Sequence, residues 1–315
     1  IDSKIIGVMR GELVVVGGKR GNGKSLICSN LCVNEYNNGF VVPYFTIEMR
    51  AAQIYRRNAA IEAGVSAMRL RSGKPDAEEQ IRLAQKLIDK YDVDPNEWFE
   101  RFRVNDSSLL WLQKSIKESA TVRQDRQMII IDNPQLSLAD IDTSLQKLKS
   151  RYGDSMRMAI VDYINQISPS GKEDKFDWKF QINIASTLKA LAEKHDVVMV
   201  APYQIDANGE ARFSKGILDS PDYAILLQAY KTAEHGGTDT VDAMKFSTTK
   251  ARDVPPFEAA SAVDWHTLKI KSEDNISMDK LGKDTSPKEE SSAEGKPVSS
   301  KPTDLPGAAR RVGDI

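Results

Sequence analysis

The stretch Gly17-Gly18-Lys19-Arg20-Gly21-Asn22-Gly23-Lys24-Ser25 leaves this chain few choices. It follows the apolar run Leu13-Val14-Val15-Val16 and leads into Leu26-Ile27-Cys28-Ser29-Asn30-Leu31-Cys32, a strand, a glycine-rich loop and a helix in that order. Gly18 to Ser25 satisfies G-x-x-x-x-G-K-S/T at every position. Small side chains let successive backbone N–H groups turn inward around phosphate oxygens. The helix that begins at the loop points its positive end at the same anion. Gly18, Arg20, Gly21, Asn22, Gly23, Lys24, Ser25 and Leu26 are thus the expected nucleotide cradle. Lys24 is expected to reach the β- and γ-phosphates, and the Ser25 hydroxyl to ligate Mg²⁺. The expected ligands are ATP, or another nucleoside triphosphate, and Mg²⁺.

A length of 315 residues suits one large α/β domain or two small ones. The formal net charge is −1, so the chain as a whole carries no basic signal, and any surface for a polyanion must be a local patch. Cys28 and Cys32 lie on the predicted loop helix and read as small buried apolar groups, too few for a disulfide framework. Three scattered histidines have no zinc spacing. No apolar run approaches membrane-spanning length and no signal peptide is evident, so a soluble cytoplasmic protein is expected. The first residue is Ile1 and not Met, which reads as a fragment or a processed product.

The loop helix should run from about Gly23 to Asn37, stopped by Asn37-Asn38-Gly39. Strand Val41–Phe45 then delivers Thr46-Ile47-Glu48-Met49 to its carboxyl end, where ligands of open α/β sheets bind, so Glu48 is placed to meet the phosphates. Residues 51–103 read as helical packing, with Arg56 and Arg57 solvated. Strands Met128–Asp132 and Arg157–Asp162, helices Leu138–Lys149 and Asp177–His195, and a strand Val197–Ala201 ending at Tyr203-Gln204 follow. This alternation predicts a mainly parallel sheet with helices on both faces. Strands at Tyr223–Gln228, Ala243–Thr248 and Ala262–Ile270 read as antiparallel additions. Residues 1–271 make one α/β domain on this reading. Residues 272–315 contain no aromatic residue and are rich in Ser, Lys, Glu and Pro, which predicts a disordered polar tail.

Two apolar strands end in aspartate, at Asp132 and Asp162, and either has the form of the carboxylate that binds Mg²⁺ beside the loop serine. Asp132 precedes Asn133-Pro134, a turn signal, so the pattern leans to Asp162 without deciding it.

The order of segments carries more. The Gly-Lys-Ser loop is followed by Phe45-Thr46-Ile47-Glu48-Met49, Ile160-Val161-Asp162-Tyr163-Ile164-Asn165-Gln166 and Leu188-Lys189-Ala190-Leu191-Ala192. Val198-Met199-Val200-Ala201-Pro202-Tyr203-Gln204 and Lys250-Ala251-Arg252 complete the series. Together they resemble the C-terminal RecA-like motor domain of DnaB-type replicative DNA helicases, bacterial or phage-encoded, over about residues 5–270. The resemblance implies a RecA-like P-loop NTPase core that hydrolyses ATP. It implies Glu48 as general base, Asp162 as the Mg²⁺ aspartate, Asp132 as structural and Gln204 as sensor of the γ-phosphate. Lys250 and Arg252 match a pair that reaches the neighbouring subunit's γ-phosphate, Arg252 as arginine finger.

A finger acting between subunits implies an oligomer, in this family a ring of six around single-stranded DNA, with primase and a helicase loader as further partners. Two loops are expected to line the channel. One spans about 168–179 and combines Lys172, Lys175 and Lys179 with Phe176 and Trp178, charge for phosphates and rings for bases. The bland alternative has Phe176 and Trp178 starting the next helix and packing on it. The other loop spans about 205–218 and holds Arg212, Phe213 and Lys215. The chain lacks the N-terminal domain and linker helix that usually precede this motor, so weak or ligand-dependent assembly is expected. Two other readings use the same core: a recombinase or recombination mediator, and a non-translocating loading or regulatory module with ATP as a switch.

Overall fold

The computed structural model describes residues 7–90, 94–103, 112, 114, 126–169, 171, 177–205, 215–231, 242–252, 254–275 and 283–284. The first strand, β1 (Leu13–Gly18), is buried along its whole length, as expected of a continuous apolar run rather than an alternating one. Helix α1 (Lys24–Asn37) follows the glycine-rich loop, and strand β2 (Val41–Thr46) follows α1. Four helices come next: α2 (Ala51–Ala63), α3 (Ala67–Ser72), α4 (Ala77–Lys90) and α5 (Pro95–Arg103). Then come β3 (Gln127–Asp132), α6 (Leu138–Tyr152), β4 (Met158–Asp162), α7 (Trp178–His195) and β5 (Val198–Gln204). The chain continues through β6 (Tyr223–Lys231), β7 (Ala243–Ala251), β8 (Glu258–Asp264), β9 (Lys269–Asn275) and the short β10 (Lys283–Asp284).

All of these strands join one sheet in the order β3-β2-β4-β5-β1-β6-β7-β8-β9, with β10 on β6. Strands β3 to β6 of that order are parallel, and β7, β8 and β9 add on antiparallel. The period of two along each strand divides the core. Leu13, Val15, Ala159 and Val161 face α6 and α7, whereas Val14, Val16 and Ile160 face α1 and α2. Helix starts follow local chemistry. The Asp177 carboxylate accepts the Lys179 N–H at 2.7 Å to begin α7, and Ser137 and Asp140 cap α6 reciprocally.

Three sequence expectations change. Strand β6 pairs in parallel with β1, not antiparallel, because the chain re-enters the sheet from the amino edge, where the Asp222 N–H bonds to Leu13 O at 3.0 Å. The single strand expected at Ala262–Ile270 is two strands joined by a turn. Asp264 builds that turn, its carboxylate accepting from the N–H groups of His266 and Thr267 and from the Thr267 hydroxyl, and Leu268 sits at φ 61°. Finally, the domain boundary expected at 271/272 falls inside β9, which runs on to Asn275, and Lys283–Asp284 also pairs in the sheet.

The C-terminal hairpin is anchored on the loop helix. Asn30 of α1 donates to Leu26 O and Leu268 O and accepts from the Ile270 N–H at 2.9 Å, and the Asn30 side chain is itself buried. Asn30→Ala strands the Leu268 carbonyl and the Ile270 N–H. Unfolding in denaturant is expected to show a loss of about 2–3 kcal/mol, the cost of leaving such groups unpaired.

Candidate nucleotide-binding site

The parallel strands bring the chemistry to one edge. Gly18 at the end of β1 stands opposite Gln204 at the end of β5, and Thr46 at the end of β2 stands opposite Asp162 at the end of β4. Between β1 and α1 the backbone takes φ values of 85° at Gly21 and 84° at Gly23, the left-handed region that favours glycine. A Cβ at Gly23 would also lie 2.5 Å from Met244 Cε. The loop is therefore curled in the manner the motif requires.

The Lys24 ammonium lies over this curl and donates to Gly18 O at 2.6 Å and Lys19 O at 2.8 Å. Burial lowers its pKa to about 8, against the pull of Asp162 and Glu48 in the other direction. Asn22 is buried, and its Nδ2 donates to Leu227 O, which pins the loop to β6. Asp162 is 4 % exposed, and its Oδ2 accepts from the Tyr44 hydroxyl at 2.8 Å. Burial raises its pKa, and the neighbouring Ser25 and Tyr44 hydroxyls, Arg57 and Lys24 lower it in turn. Its Oδ1 is buried with no hydrogen-bond partner among the described residues, although a carboxylate oxygen so placed is costly. An orphaned carboxylate oxygen next to a serine hydroxyl, behind a phosphate loop, fits a hard divalent cation of the Mg²⁺ type.

Glu48 stands on a turn shaped by Thr46, whose hydroxyl bonds both the carbonyl and the N–H of Met49. The Ile47 N–H donates to Asp162 O, so the Glu48 turn is tied to the end of β4. Glu48 is exposed and lines a cavity of about 660 Å³ together with Lys24, Ser25, Asp162 and Gln204. Behind Gln204, Asn165 accepts the Gln204 N–H at 2.9 Å and donates to Gln181 of α7 at 2.9 Å. The competing aspartate goes elsewhere. Asp132 Oδ2 accepts the Ala51 N–H at 2.9 Å and caps α2.

The sequence reading missed Arg57. It was expected to be solvated, but its guanidinium donates to Ser25 O at 3.1 Å and contacts Met49 Sδ at 3.3 Å, inside the cavity lining. A helical position nine residues beyond Glu48 gives no local signal, because only the packing of α2 against α1 turns it inward. Asn165 and Gln166 also line the cavity without having been assigned a role.

Lys250 and Arg252 are not in this cavity. Strand β7 runs antiparallel, so its end pairs with the start of β6, Ala251 opposite Tyr223. That is the amino edge of the parallel strands, the length of six-residue β1 from the loop, on the order of 20 Å. There, Lys250 donates to Leu218 O and Asp219 O, and Arg252 pairs with Asp222 at 3.3 Å. Of the expected DNA-contacting residues, Lys172, Lys175, Arg212 and Phe213 lie outside the described residues, as does the side chain of Lys215. Trp178 heads α7 but does not pack into the core. It is 55 % exposed, with the Lys179 ammonium 5.5 Å from its ring centroid.

A phosphate loop on the central strand of a mainly parallel sheet, with an aspartate at the end of β4, one strand removed across β5, defines a P-loop NTPase of the RecA-like type. The chain belongs to the DnaB-like helicase C-terminal domain family, whose model matches residues 1–218. It is 24% identical over 216 residues to the replicative DNA helicase DnaB of Geobacillus stearothermophilus, covering 68% of this chain and 40% of that protein. With DnaB of Rickettsia bellii it shares 23% identity over 230 residues, covering 68% of this chain and 38% of that protein. The chain thus spans about 40% of the length of the curated relatives it matches. Among solved structures, a DnaB-like replicative helicase, described with its interactions with primase, superposes with a TM-score of 0.61 at 17% identity, over 85% of this chain and 59% of that one. A solved ATPase domain gives the same TM-score and identity over 85% of this chain and 87% of that one.

The state of Lys24 makes affinity depend on pH. Its charged form is needed for a triphosphate, and a pKa of about 8 means that charge is lost as pH rises through 8. Nucleotide Kd, measured by calorimetry in the absence of turnover, is expected to weaken roughly fivefold from pH 8 to pH 9 for a single proton. Lys24→Met should be weak at both pH values and show no such slope.

Proposed function

We propose that this chain is the ATPase motor domain of a replicative DNA helicase that works in the cytoplasm as a ring of six around single-stranded DNA. The observation that carries the reading is the placement of its two sets of charged groups at opposite edges of one sheet. Lys24, Ser25, Glu48 and Asp162 stand at the carboxyl edge, and Lys250 and Arg252 at the amino edge, where they cannot serve their own chain's loop. A hydrolytic site with its cations on the far side of the subunit is completed by a neighbour.

In this reading the triphosphate lies in the curl of Gly18 to Ser25, with Lys24 on its β- and γ-phosphates. Ser25 and Asp162 hold Mg²⁺, which supplies charge neutralisation at those phosphates. Glu48 orients and deprotonates the attacking water. Lys250 and Arg252 of the next subunit meet the charge that develops in the transition state. Gln204 senses the γ-phosphate, and the Asn165–Gln181 contact gives it a connection to α7, whose first turn carries Trp178 and Lys179. With Lys172, Lys175, Arg212, Phe213 and Lys215, those residues make the single-strand contacts, which are to phosphate and ring faces and so independent of sequence. Primase and a loader are further partners, the former supported by the DnaB-like neighbour described with primase. The recombinase and switch-module readings gain no support from these relatives.

The test is a DNA-stimulated ATPase and fork-unwinding assay with particle images of the ATP-bound form. Glu48→Gln is expected to keep nucleotide binding within about twofold and to lose stimulated turnover by about 100-fold or more. Arg252→Ala should also bind nucleotide and lose turnover by about 1,000-fold, as for other arginine fingers. Full turnover of a monomer, or wild-type turnover in Arg252→Ala, would overturn the shared site.

A further inference from the structure

The amino edge of the sheet holds a charge cluster built around a buried carboxylate, Asp222, that has no part in the hydrolytic roles given above. Asp222 is 4 % exposed and stands just before β6. Its Oδ2 accepts from the Leu13 N–H at 2.8 Å and from Lys189 Nζ of α7 at 2.9 Å. Its Oδ1 faces Arg252 Nη1 at 3.3 Å. Lys189 is fixed in turn by Gly11 O at 2.8 Å and by Glu193 at 3.1 Å. The carboxylate is thus held from β1 and α7 and has one oxygen directed at the guanidinium.

Arg252 is held twice, since its Nη2 also donates to Ser220 O at 3.2 Å. Its side chain is nevertheless 49% exposed. A guanidinium has five donors in a rigid plane. Two nitrogens are engaged by the 220–222 turn, and donors remain on the exposed side. The turn itself is closely packed and hydrogen-bonded. It follows the 3-10 turn Lys215–Leu218, where a Cβ at Gly216 would lie 2.5 Å from Ile182 of α7, and Lys250 donates to its carbonyls at 218 and 219.

We propose that Asp222 is the positioning residue for Arg252. Anchored by Leu13 and Lys189, it fixes the guanidinium plane so that the free donors face outward, toward the phosphates of an adjoining subunit. The inference rests on the reading of Arg252 as the trans-acting cation and deepens it. The physical reason is preorganisation. A long flexible cation stabilises a transition state only to the extent that its geometry is set beforehand, and a misplacement near 1 Å costs about 100-fold. A lone arginine on a strand end has a long run of side-chain torsions to restrain, and Asp222 with Ser220 O restrains them at the tip.

The experiment is a double-mutant cycle in DNA-stimulated turnover, with nucleotide Kd and melting temperature measured on each variant. Asp222→Asn is expected to lower kcat by about 10- to 100-fold with nucleotide Kd within about twofold. In the Arg252→Ala background it should cost nothing further, because there is no guanidinium left to aim. Wild-type kcat in Asp222→Asn, or the same additional loss in both backgrounds, overturns the inference. Arg252→Lys provides a test that does not depend on Asp222→Asn folding. It keeps the charge but has all its donors on one nitrogen, so engaging Asp222 and Ser220 O leaves no planar fork directed outward, and its kcat should fall close to that of Arg252→Ala. Near-wild-type turnover in Arg252→Lys would show that charge without positioning suffices. Wild-type turnover in Arg252→Ala removes the finger assignment as well, whereas its loss alongside an unaffected Asp222→Asn removes the positioning role alone.

Discussion

Parallel strand register is the constraint on which the site depends. The pairs Gly18–Gln204 and Thr46–Asp162 are neighbours across hydrogen-bonded strands, so the glycine-rich loop, Gln204, the Glu48 turn and Asp162 share one edge. A slip of one residue would exchange the two faces of a strand and carry Asp162 away from Ser25. Close packing opposes such a slip, because Ile160 and Val161, side chains of different size, are each fully buried on opposite sides of β4 in different cores. The same register places the start of β1 at the other edge, where Leu13 meets Asp222.

Electrostatics then distinguishes the two edges. At the carboxyl edge the charges are strained by burial: Lys24 has a depressed pKa, Asp162 a raised one, and one Asp162 oxygen is unpartnered among the described residues. A site in this condition is ready for an anion and a cation together. At the amino edge the buried carboxylate is satisfied, although burial lowers the pKa of Lys250 as it does that of Lys24. Asp222 has a backbone N–H, a lysine and an arginine around it, and Lys250 is bonded to two carbonyls. One edge is built to receive a ligand and the other to present cations. In the proposed ring, each amino edge would meet the next carboxyl edge and both would be used.

Much of this was legible in the chain. The loop motif and its strand–helix context identify a phosphate site through backbone conformation that only small residues allow, as Gly21 and Gly23 show. The apolar runs predicted β1 to β5 with their ends close to the observed ones, since a strand buried on both faces has an unbroken apolar signature. Less was legible where one residue type serves two roles. Asp132 and Asp162 end similar strands, and only three-dimensional pairing shows the first capping α2 and the second beside Ser25 and Tyr44. Arg57 reads as a solvated helix residue, and the strand pair β8–β9 reads as one strand because the Asp264 turn is made by side-chain hydrogen bonds that leave no glycine or proline mark.

The sequence by itself determined the fold class, the phosphate loop and the order of the elements that carry Glu48, Asp162 and Gln204. These follow from local rules: allowed backbone angles, hydrophobic period and the position of strand ends. The tertiary structure alone decided which charges meet. Asp222 and Arg252 are thirty positions apart and Lys189 is a further thirty-three away, and no local pattern marks them as partners. They come together because β7 returns antiparallel beside β6 while α7 packs against β1, the other neighbour of β6. That long-range geometry determines which edge of the sheet each cation serves.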